Sequence, residues 1–303
     1  MKASVKLFFC RLSVLMGLSY SVMYAGSQSG FYLPEPYVEA SMRYTTFNNL
    51  IILPFTINSR ITVNLILDTG TSNIVLFGKR FEKLFQFIPK KNIQFSGMGS
   101  GEQVTGKLSI NNRVELTSII GERIAIVVVP NNNIFDSGLK IDGIIGYDIF
   151  QRFEVEINPV SQLISFRPWT ESIVPAGFIR VPLRIENTKP IINSDILLFG
   201  GTLLKTDLII DTGSQLSLLI KTTNNALAGS YISTILGRGL SGSIEGIKTF
   251  AHTLTFAGLI FYNEPTGIVQ KEGRDDGSIG MGILKNYAII INYNAAFACL
   301  KKL

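Results

Sequence analysis

The sequence predicts an all-β protein made of two similar lobes with a few short helices. Three observations point to this fold class. Apolar, β-branched runs alternate with Gly, Pro and Asn; much of the chain repeats itself once; and two short helical patterns each follow a glycine. Short helices in a background of strands are typical of β-sheets with small helical decorations.

The predicted strands are short runs rich in Val, Ile and Leu that end at turn residues. They are Leu50–Pro54, Arg60–Leu67, Ile124–Val129, Val155–Ile157, Ile179–Ile185, Leu203–Ile210 and Ala288–Ile291. The predicted helices, Tyr147–Phe153 and Met281–Tyr287, carry apolar residues at helical spacing directly after a glycine.

The internal repeat divides the chain into two lobes. Residues 64–77, NLILDTGTSNIVLF, align without a gap with residues 207–220, DLIIDTGSQLSLLI, at an offset of 143. A second pair, 142–158 and 276–292, follows at an offset of 134. A weaker third pair, at an offset of 140, consists of Gly97, Gly99 and Gly106 matched with Gly237, Gly239 and Gly246. The order is the same in both copies, which predicts a duplication with lobes at 26–168 and 169–303.

Composition excludes several classes of protein. Of 303 residues, 46% are hydrophobic and 17% are charged, which suits a large core and argues against disorder. The formal charge is +6, and without the three basic residues of the first 25 it is only +3, too mild for a nucleic-acid partner. The single His252 and two cysteines cannot form a standard Cys/His zinc site, so we expect no metal and no cofactor.

Residues 1–25 have the pattern of a secretory signal peptide. A basic start with Lys2, Lys6 and Arg11 precedes an apolar stretch that ends at Ala25. We therefore expect an exported protein, periplasmic or secreted. The alternative is an uncleaved N-terminal membrane anchor.

Cleavage near residue 25 would remove Cys10 and leave Cys299 as the only cysteine, without a disulfide. A catalytic thiol is one interpretation of Cys299. A small buried residue near the end of the last strand is the interpretation that we favour.

Each copy of the repeat delivers an aspartate from an apolar strand into a glycine turn. The residues are Asp68, Thr69, Gly70 and Thr71 in the first copy and Asp211, Thr212, Gly213 and Ser214 in the second. Two duplicated lobes usually pack around an approximate two-fold axis, where equivalent aspartates meet. Neighbouring carboxylates share one proton, so that one activates a water as base while the other polarises a carbonyl as acid.

The sequence therefore resembles an aspartic protease of the pepsin and retropepsin superfamily, and among these a bacterial-type retropepsin-like protein with both lobes in one chain. Asp68–Gly70 and Asp211–Gly213 match the catalytic signature of that family. A second signature, two hydrophobic residues and a glycine, is matched by Ile144–Gly146 and, less well, by Ser278–Gly280. The resemblance implies pepsin-like lobes, with Asp68 and Asp211 as the catalytic pair.

The segment Phe95–Gly106, FSGMGSGEQVTG, resembles the flap hairpin that closes over substrate in this family. Phe95 would stand where pepsin-like enzymes have a tyrosine, and it lacks the hydroxyl. We expect Phe95, Gly97 and Gly99 to contact substrate.

The hydroxyl residues after each glycine are expected to support the dyad. Thr71 and Ser214 can each donate to a catalytic carboxylate, which lowers its pKa and shifts the working pH toward acid. Pepsin-like members with a hydroxyl at this position work in acid, and the resemblance points the same way.

The function that we expect is hydrolysis of peptide bonds by an aspartic endopeptidase. Its partner would be a peptide or protein substrate, and the dyad would be built within a monomer. The alternative is a catalytically silent peptide-binding or envelope assembly module on the same fold, because folds outlast their chemistry. Asp142 and Asp276 are interpreted as turn residues rather than extra catalytic acids, and His252 as a residue outside the site.

Overall fold

The computed structural model of the protein describes residues 29–95, 99, 103–130, 140–169, 174–223, 233–270 and 276–303. Almost all regular structure in these residues is β, as the sequence predicts. The predicted signal peptide lies outside the described residues and stays a prediction. In the described part of the chain, no helix is long and apolar enough to cross a membrane.

The first half of the chain contributes twelve described strands. They are β1 Gly30–Tyr32, β2 Ala40–Arg43, β3 Thr45–Phe47, β4 Leu50–Ile57, β5 Ile61–Leu67, β6 Ile74–Phe77, β7 Asn92–Phe95, β8 Val104–Leu116, β9 Ile119–Val129, β10 Gly143–Ile145, β11 Phe153–Asn158 and β12 Leu163–Pro168. A short 3-10 helix, Lys79–Lys83, follows β6, and the helix α1, Tyr147–Phe150, follows β10.

The second half contributes eleven described strands. They are β13 Ile179–Pro182, β14 Arg184–Glu186, β15 Lys189–Leu198, β16 Leu203–Asp211, β17 Leu218–Thr222, β18 Thr234–Gly239, β19 Gly242–Phe256, β20 Leu259–Gln270, β21 Asp276–Gly280, β22 Tyr287–Asn292 and β23 Phe297–Lys302. The helix α2, Met281–Leu284, follows β21.

The two halves build sheets with the same pairing order. In the first, the order β9-β6-β10-β5-β4 forms the centre; in the second, the order β20-β17-β21-β16-β15 does. The directions also agree, because β10 is parallel to β5 and antiparallel to β6, as β21 is parallel to β16 and antiparallel to β17. The shared order is what a duplication requires, although the duplication itself stays a prediction.

A third sheet joins the halves. Its order is β13-β23-β22-β11-β12-β2, so β11 from the first half pairs with β22 from the second. Apolar residues in register, such as Val155 opposite Ile291 and Ile157 opposite Ile289, are fully buried at this junction. Burial of side chains of this size is worth roughly 1.5–3 kcal/mol each, so the junction resists separation of the lobes.

Three sequence predictions need correction. Both predicted helices end after one turn, at Phe150 and Leu284, because their last residues, Phe153 and Tyr287, begin β11 and β22 of the joining sheet. The predicted strand Ile179–Ile185 is two strands, β13 and β14, which lie in different sheets. In each case strand pairing decided the boundary, and local sequence preference did not: Phe153 pairs with Pro168 of β12, and Tyr287 pairs with Lys302 of β23.

Candidate active site

Asp68 directly follows β5, where that strand runs parallel to β10. Its N–H donates to the carbonyl of Ile145 at 2.8 Å, which anchors the aspartate to the neighbouring strand. The Gly70 N–H then donates to Asp68 Oδ1 at 2.7 Å. The carboxyl is therefore held in one orientation by main-chain groups of a rigid sheet end, which is how a preorganised group is supported.

Asp211 is the last residue of β16 and has equivalent surroundings. It lies opposite Gly280 in the parallel pairing of β16 with β21. The Gly213 N–H donates to Asp211 Oδ1 at 3.0 Å. Both aspartates are half-buried residues.

The threonines of the two loops cross from one lobe to the other. Thr69 Oγ1 accepts from the Thr212 N–H at 3.0 Å and donates to the Ile210 carbonyl at 2.5 Å. Thr212 Oγ1 accepts from the Thr69 N–H at 3.1 Å and donates to the Leu67 carbonyl at 2.7 Å. Both threonines are fully buried. This reciprocal set of hydrogen bonds brings the two aspartate loops together.

The two carboxyls are close neighbours. A Cβ added to Gly213 would lie 2.3 Å from Asp68 Cγ, and one added to Gly70 would lie 3.4 Å from Asp211 Oδ1. Each glycine thus faces the aspartate of the opposite lobe. The side chains of Asp68 and Asp211 are close enough to share a hydrogen bond.

The pKa values of both carboxyls are raised. Burial and then repulsion by the Asp211 charge raise the pKa of Asp68 to about 8. Burial raises the pKa of Asp211 as well. Opposing this, the positive charge of Lys189 lowers the pKa of both carboxyls. Burial therefore favours the protonated form of both carboxyls, and the titration of two such close groups belongs to the pair.

The hydroxyls of Thr71 and Ser214 point to their own loops. Thr71 Oγ1 donates to the Asn73 carbonyl at 3.5 Å, and Ser214 Oγ accepts from the Leu216 N–H at 3.4 Å. The acid shift predicted from donation by these hydroxyls is therefore not what the structure supports. Burial without that donation raises the pKa of the two carboxyls, and it therefore shifts the working pH upward.

Thr71 and Ser214 instead bind the helices through their carbonyls. The Tyr147 N–H donates to the Thr71 carbonyl at 3.0 Å, and the Met281 N–H donates to the Ser214 carbonyl at 2.8 Å. The residue before α1 must be glycine, because a Cβ on Gly146 would lie 2.0 Å from the Asp68 carbonyl oxygen. The second family signature thus supports the aspartate loops from beneath.

One hairpin from each lobe reaches toward the other lobe. The first is formed by β7 and β8, in which Phe95 is opposite Val104, and the second by β18 and β19. Gly99 lies against the second hairpin, because a Cβ there would be 2.7 Å from main-chain atoms of Ser241 and Gly242. Its φ of +133° also requires glycine. Gly97 lies outside the described residues, and the Phe95 side chain is not described.

The other residues considered as candidates, Cys299, Asp142 and His252, have contacts that fit a structural role. Cys299 is fully buried in β23, and burial raises the pKa of its thiol to about 11, which suits the packing role rather than a nucleophile. Asp142 pairs with Arg80 and accepts from the Asn64 N–H at 2.7 Å. His252 is exposed and packs edge-on against Phe199. Among the described residues, no group of three or more acidic, His or Cys side chains could hold a metal.

Two residues near the dyad were missed by the sequence analysis. Tyr293 donates its hydroxyl to the Thr69 carbonyl at 3.2 Å, and Lys189 acts electrostatically on both aspartates. Lys189 follows a turn whose Thr188 Oγ1 lies 2.5 Å from Ser72 Oγ in the other lobe. Tyr293 follows directly after the second downstream repeat, where the first copy has Pro159. That difference between the copies was a usable signal for Tyr293.

Comparison with known proteins agrees with this geometry. A family model described as "Aspartyl protease" matches residues 53–149. The aspartic proteinase from Irpex lacteus has a similar structure, with a TM-score of 0.55 and 17% sequence identity over 87% of this chain and 97% of that chain. No curated protein sequence matches the chain.

The fold and the site define an all-β protein with the pepsin-like aspartic protease architecture. The family model supports, over residues 53–149, the resemblance to the pepsin/retropepsin superfamily of aspartic proteases that the sequence indicates.

Proposed function

We propose that the protein is an aspartic endopeptidase that hydrolyses peptide bonds with a water activated between Asp68 and Asp211. The observation that carries this proposal is the hydrogen-bonded pair of carboxyls with raised pKa values. Two such groups supply an acid and a base at the same pH. The fold and the match to the family model support a protease-like function.

In the proposed mechanism, the proton that the pair shares is on Asp68 at the start of the cycle. The ionised Asp211 accepts a proton from the water, and the oxygen of that water attacks the carbonyl carbon. Asp68, protonated, donates its proton to the carbonyl oxygen, which gives a tetrahedral diol. Asp211 then transfers its proton to the leaving nitrogen, the C–N bond breaks, and Asp68 regains a proton from one diol hydroxyl. The dyad ends in its initial protonation state.

The substrate would be an extended peptide held between the lobes. The hairpins β7–β8 and β18–β19, which touch at Gly99 and Gly242, would separate to admit it and close over it. Since one chain supplies both aspartates, we propose that the monomer is active. The export predicted for residues 1–25 would give the protein an extracytoplasmic substrate.

The pH dependence of cleavage tests this proposal. The monoprotonated dyad exists only between its two macroscopic pKa values, so the rate of hydrolysis should follow a bell-shaped curve. Because the pKa of Asp68 is raised to about 8, the rate should persist at neutral pH and fall as the pH rises through about 8. The measurement is cleavage of an unfolded protein, such as casein, by mass spectrometry from pH 3 to pH 10.

Circular dichroism at each pH is the control that the enzyme stays folded. A rate that is maximal below pH 4 and absent at neutral pH would contradict the raised pKa values. If the casein is bound but remains uncleaved at every pH, the protein is the silent binding module instead.

A further inference from the structure

We propose that Tyr293 is a positioning residue for Asp68, which it supports in its ionised form through the main chain. This inference rests on the proposed function. Tyr293 belongs to the second half of the chain, in the turn after β22, but its hydroxyl donates to the Thr69 carbonyl in the first half at 3.2 Å. It therefore acts on the catalytic loop of the other lobe.

The hydrogen bond continues through one peptide group. The Thr69 carbonyl and the Gly70 N–H belong to the same peptide, and that N–H donates to Asp68 Oδ1 at 2.7 Å. Donation by Tyr293 to the carbonyl end polarises the peptide and strengthens donation at its N–H end, because hydrogen bonds in a chain reinforce one another. The tyrosine thus stabilises the ionised form of Asp68 without touching it.

The loop of Asp211 has no equivalent support, because the first copy of the repeat lacks a tyrosine at the matching position. Asn158 and Asn292 end β11 and β22, and each accepts main-chain N–H groups of the following turn with its side-chain oxygen. The next residue is Pro159 in the first copy, which has no hydroxyl, and Tyr293 in the second. The corresponding bond, from the Gly213 N–H to Asp211 Oδ1, is longer at 3.0 Å. The asymmetry in sequence coincides with an asymmetry in the support of the two carboxyls.

Packing leaves Tyr293 little freedom. Its side chain is 6% exposed, and its ring stacks on Phe150 with centroids 5.2 Å apart and lies 6.0 Å from the ring of Tyr147. The helix α1 thus holds the ring so that the hydroxyl stays at the Thr69 carbonyl. Both of these rings belong to the first lobe. The position of Tyr293 therefore depends on how the two lobes pack together.

The charged and titratable groups that act on this chain of hydrogen bonds come from several elements of both lobes. Asp68 and Asp211 act on the Tyr293 hydroxyl, as does Tyr147 from α1. Lys189 from β15 acts on both carboxyls, and Lys221 from β17 acts on Asp211. These groups are unchanged when only the hydroxyl of Tyr293 is removed, so an altered dyad can be assigned to that hydroxyl.

The experiment compares Tyr293→Phe with the wild type. The substitution keeps the stacked ring and removes one donor, which weakens the Gly70 bond to ionised Asp68 and raises the pKa of the dyad. We expect kcat to fall about three- to tenfold with KM within about twofold, in proportion to a positioning rather than a chemical role. The falling limb of the pH–rate curve should move upward.

Tyr44→Phe is the matched control, because Tyr44 is 4% exposed and its pKa is likewise raised by burial, to about 12. Its main-chain N–H donates to the Gln162 carbonyl, away from the two aspartate loops, and the pH–rate curve of Tyr44→Phe should equal that of the wild type. The proposal is overturned if Tyr293→Phe and Tyr44→Phe have the same kcat and the same pH–rate curve.

Carboxyl titration separates this proposal from the proposed function. In protein labelled with 13C-aspartate, the dyad resonances are identified by their loss in Asp68→Asn and Asp211→Asn, and their shifts are followed against pH. An upward shift of the dyad pKa in Tyr293→Phe supports the positioning role even in a protein that does not cleave peptides. An unchanged dyad titration refutes it even in an active protease.

Discussion

Substitution of Asp68 or Asp211 by Asn should lower the rate of peptide-bond hydrolysis by about 10³–10⁴-fold. Asn can neither accept the proton of the attacking water nor donate a carboxyl proton to the carbonyl oxygen. Because the two aspartates act as one unit, either substitution alone should cost nearly the whole effect, and the double variant little more.

The variants should stay folded, which separates lost chemistry from lost structure. The pKa of both carboxyls is raised in the folded protein, so their contribution to stability is present below the unfolded pKa and is lost as the pH rises to about 8. An amide carries no charge to bury. At pH 7, Asp68→Asn should therefore match or exceed the wild type in its free energy of unfolding, measured by denaturant titration.

Asp195→Asn provides a matched control, because Asp195 is an exposed carboxylate on β15. Its hydrolysis rate should equal that of the wild type. Peptide binding by Asp211→Asn should persist when hydrolysis is lost. A wild-type rate in either dyad variant would exclude the shared-proton mechanism.

Removal of the hydroxyls that cross between the lobes should have the largest effect on stability. Thr69→Val keeps the shape of the side chain but leaves the Thr212 N–H and the Ile210 carbonyl without their buried partner. Each unsatisfied buried group costs about 1–3 kcal/mol, so we expect a loss of about 2–4 kcal/mol in the free energy of unfolding. Thr212→Val should cost a similar amount, and the double variant more than either.

Thr62→Val is the control, since Thr62 is exposed on β5, and its effect should be within about 0.5 kcal/mol. Thr69→Ser keeps the hydroxyl and should lose less stability than Thr69→Val. Chemical denaturation gives the free energy of unfolding of each variant, provided that its dependence on denaturant concentration is the same in all of them. If Thr69→Val is no less stable than Thr62→Val, the crossed hydrogen bonds do not hold the lobes together.

The sequence alone was sufficient to predict the fold class and the position of both aspartates. The copies of Asp-Thr-Gly, each at the end of an apolar strand, indicated two equivalent loops before any contact was known. Strand periodicity and glycine turns are local properties, so a single sequence carries them. Periodicity does not indicate which distant segments come together. The repeat does, because two equivalent copies are expected to meet at equivalent positions.

Element boundaries needed the tertiary structure. Phe153 and Tyr287 continue the apolar spacing of the predicted helices, but both enter the sheet that joins the lobes. Phe153 pairs with Pro168 of β12 and Tyr287 with Lys302 of β23, and these strand pairs compensate for the lost helical turns. Apolar spacing within a segment contains no information about the strand with which that segment pairs.

Electrostatics also required the fold. From the sequence, Thr71 and Ser214 predicted a shift toward acid, whereas the folded loops direct both hydroxyls to main-chain groups and leave burial to raise the pKa of the dyad. A hydroxyl has several acceptors within reach, and only the folded backbone determines which one it binds.

The chain by itself therefore determined the two aspartates, their glycine turns and the β-rich lobes that carry them. The tertiary structure decided how the aspartates are held: by Thr69 and Thr212 across the lobes, by Lys189 through its charge, and by Tyr293, 224 residues beyond Thr69. The physical reason is that a repeated motif is encoded by neighbouring residues, whereas the pKa of a carboxyl depends on every group that folding brings near it.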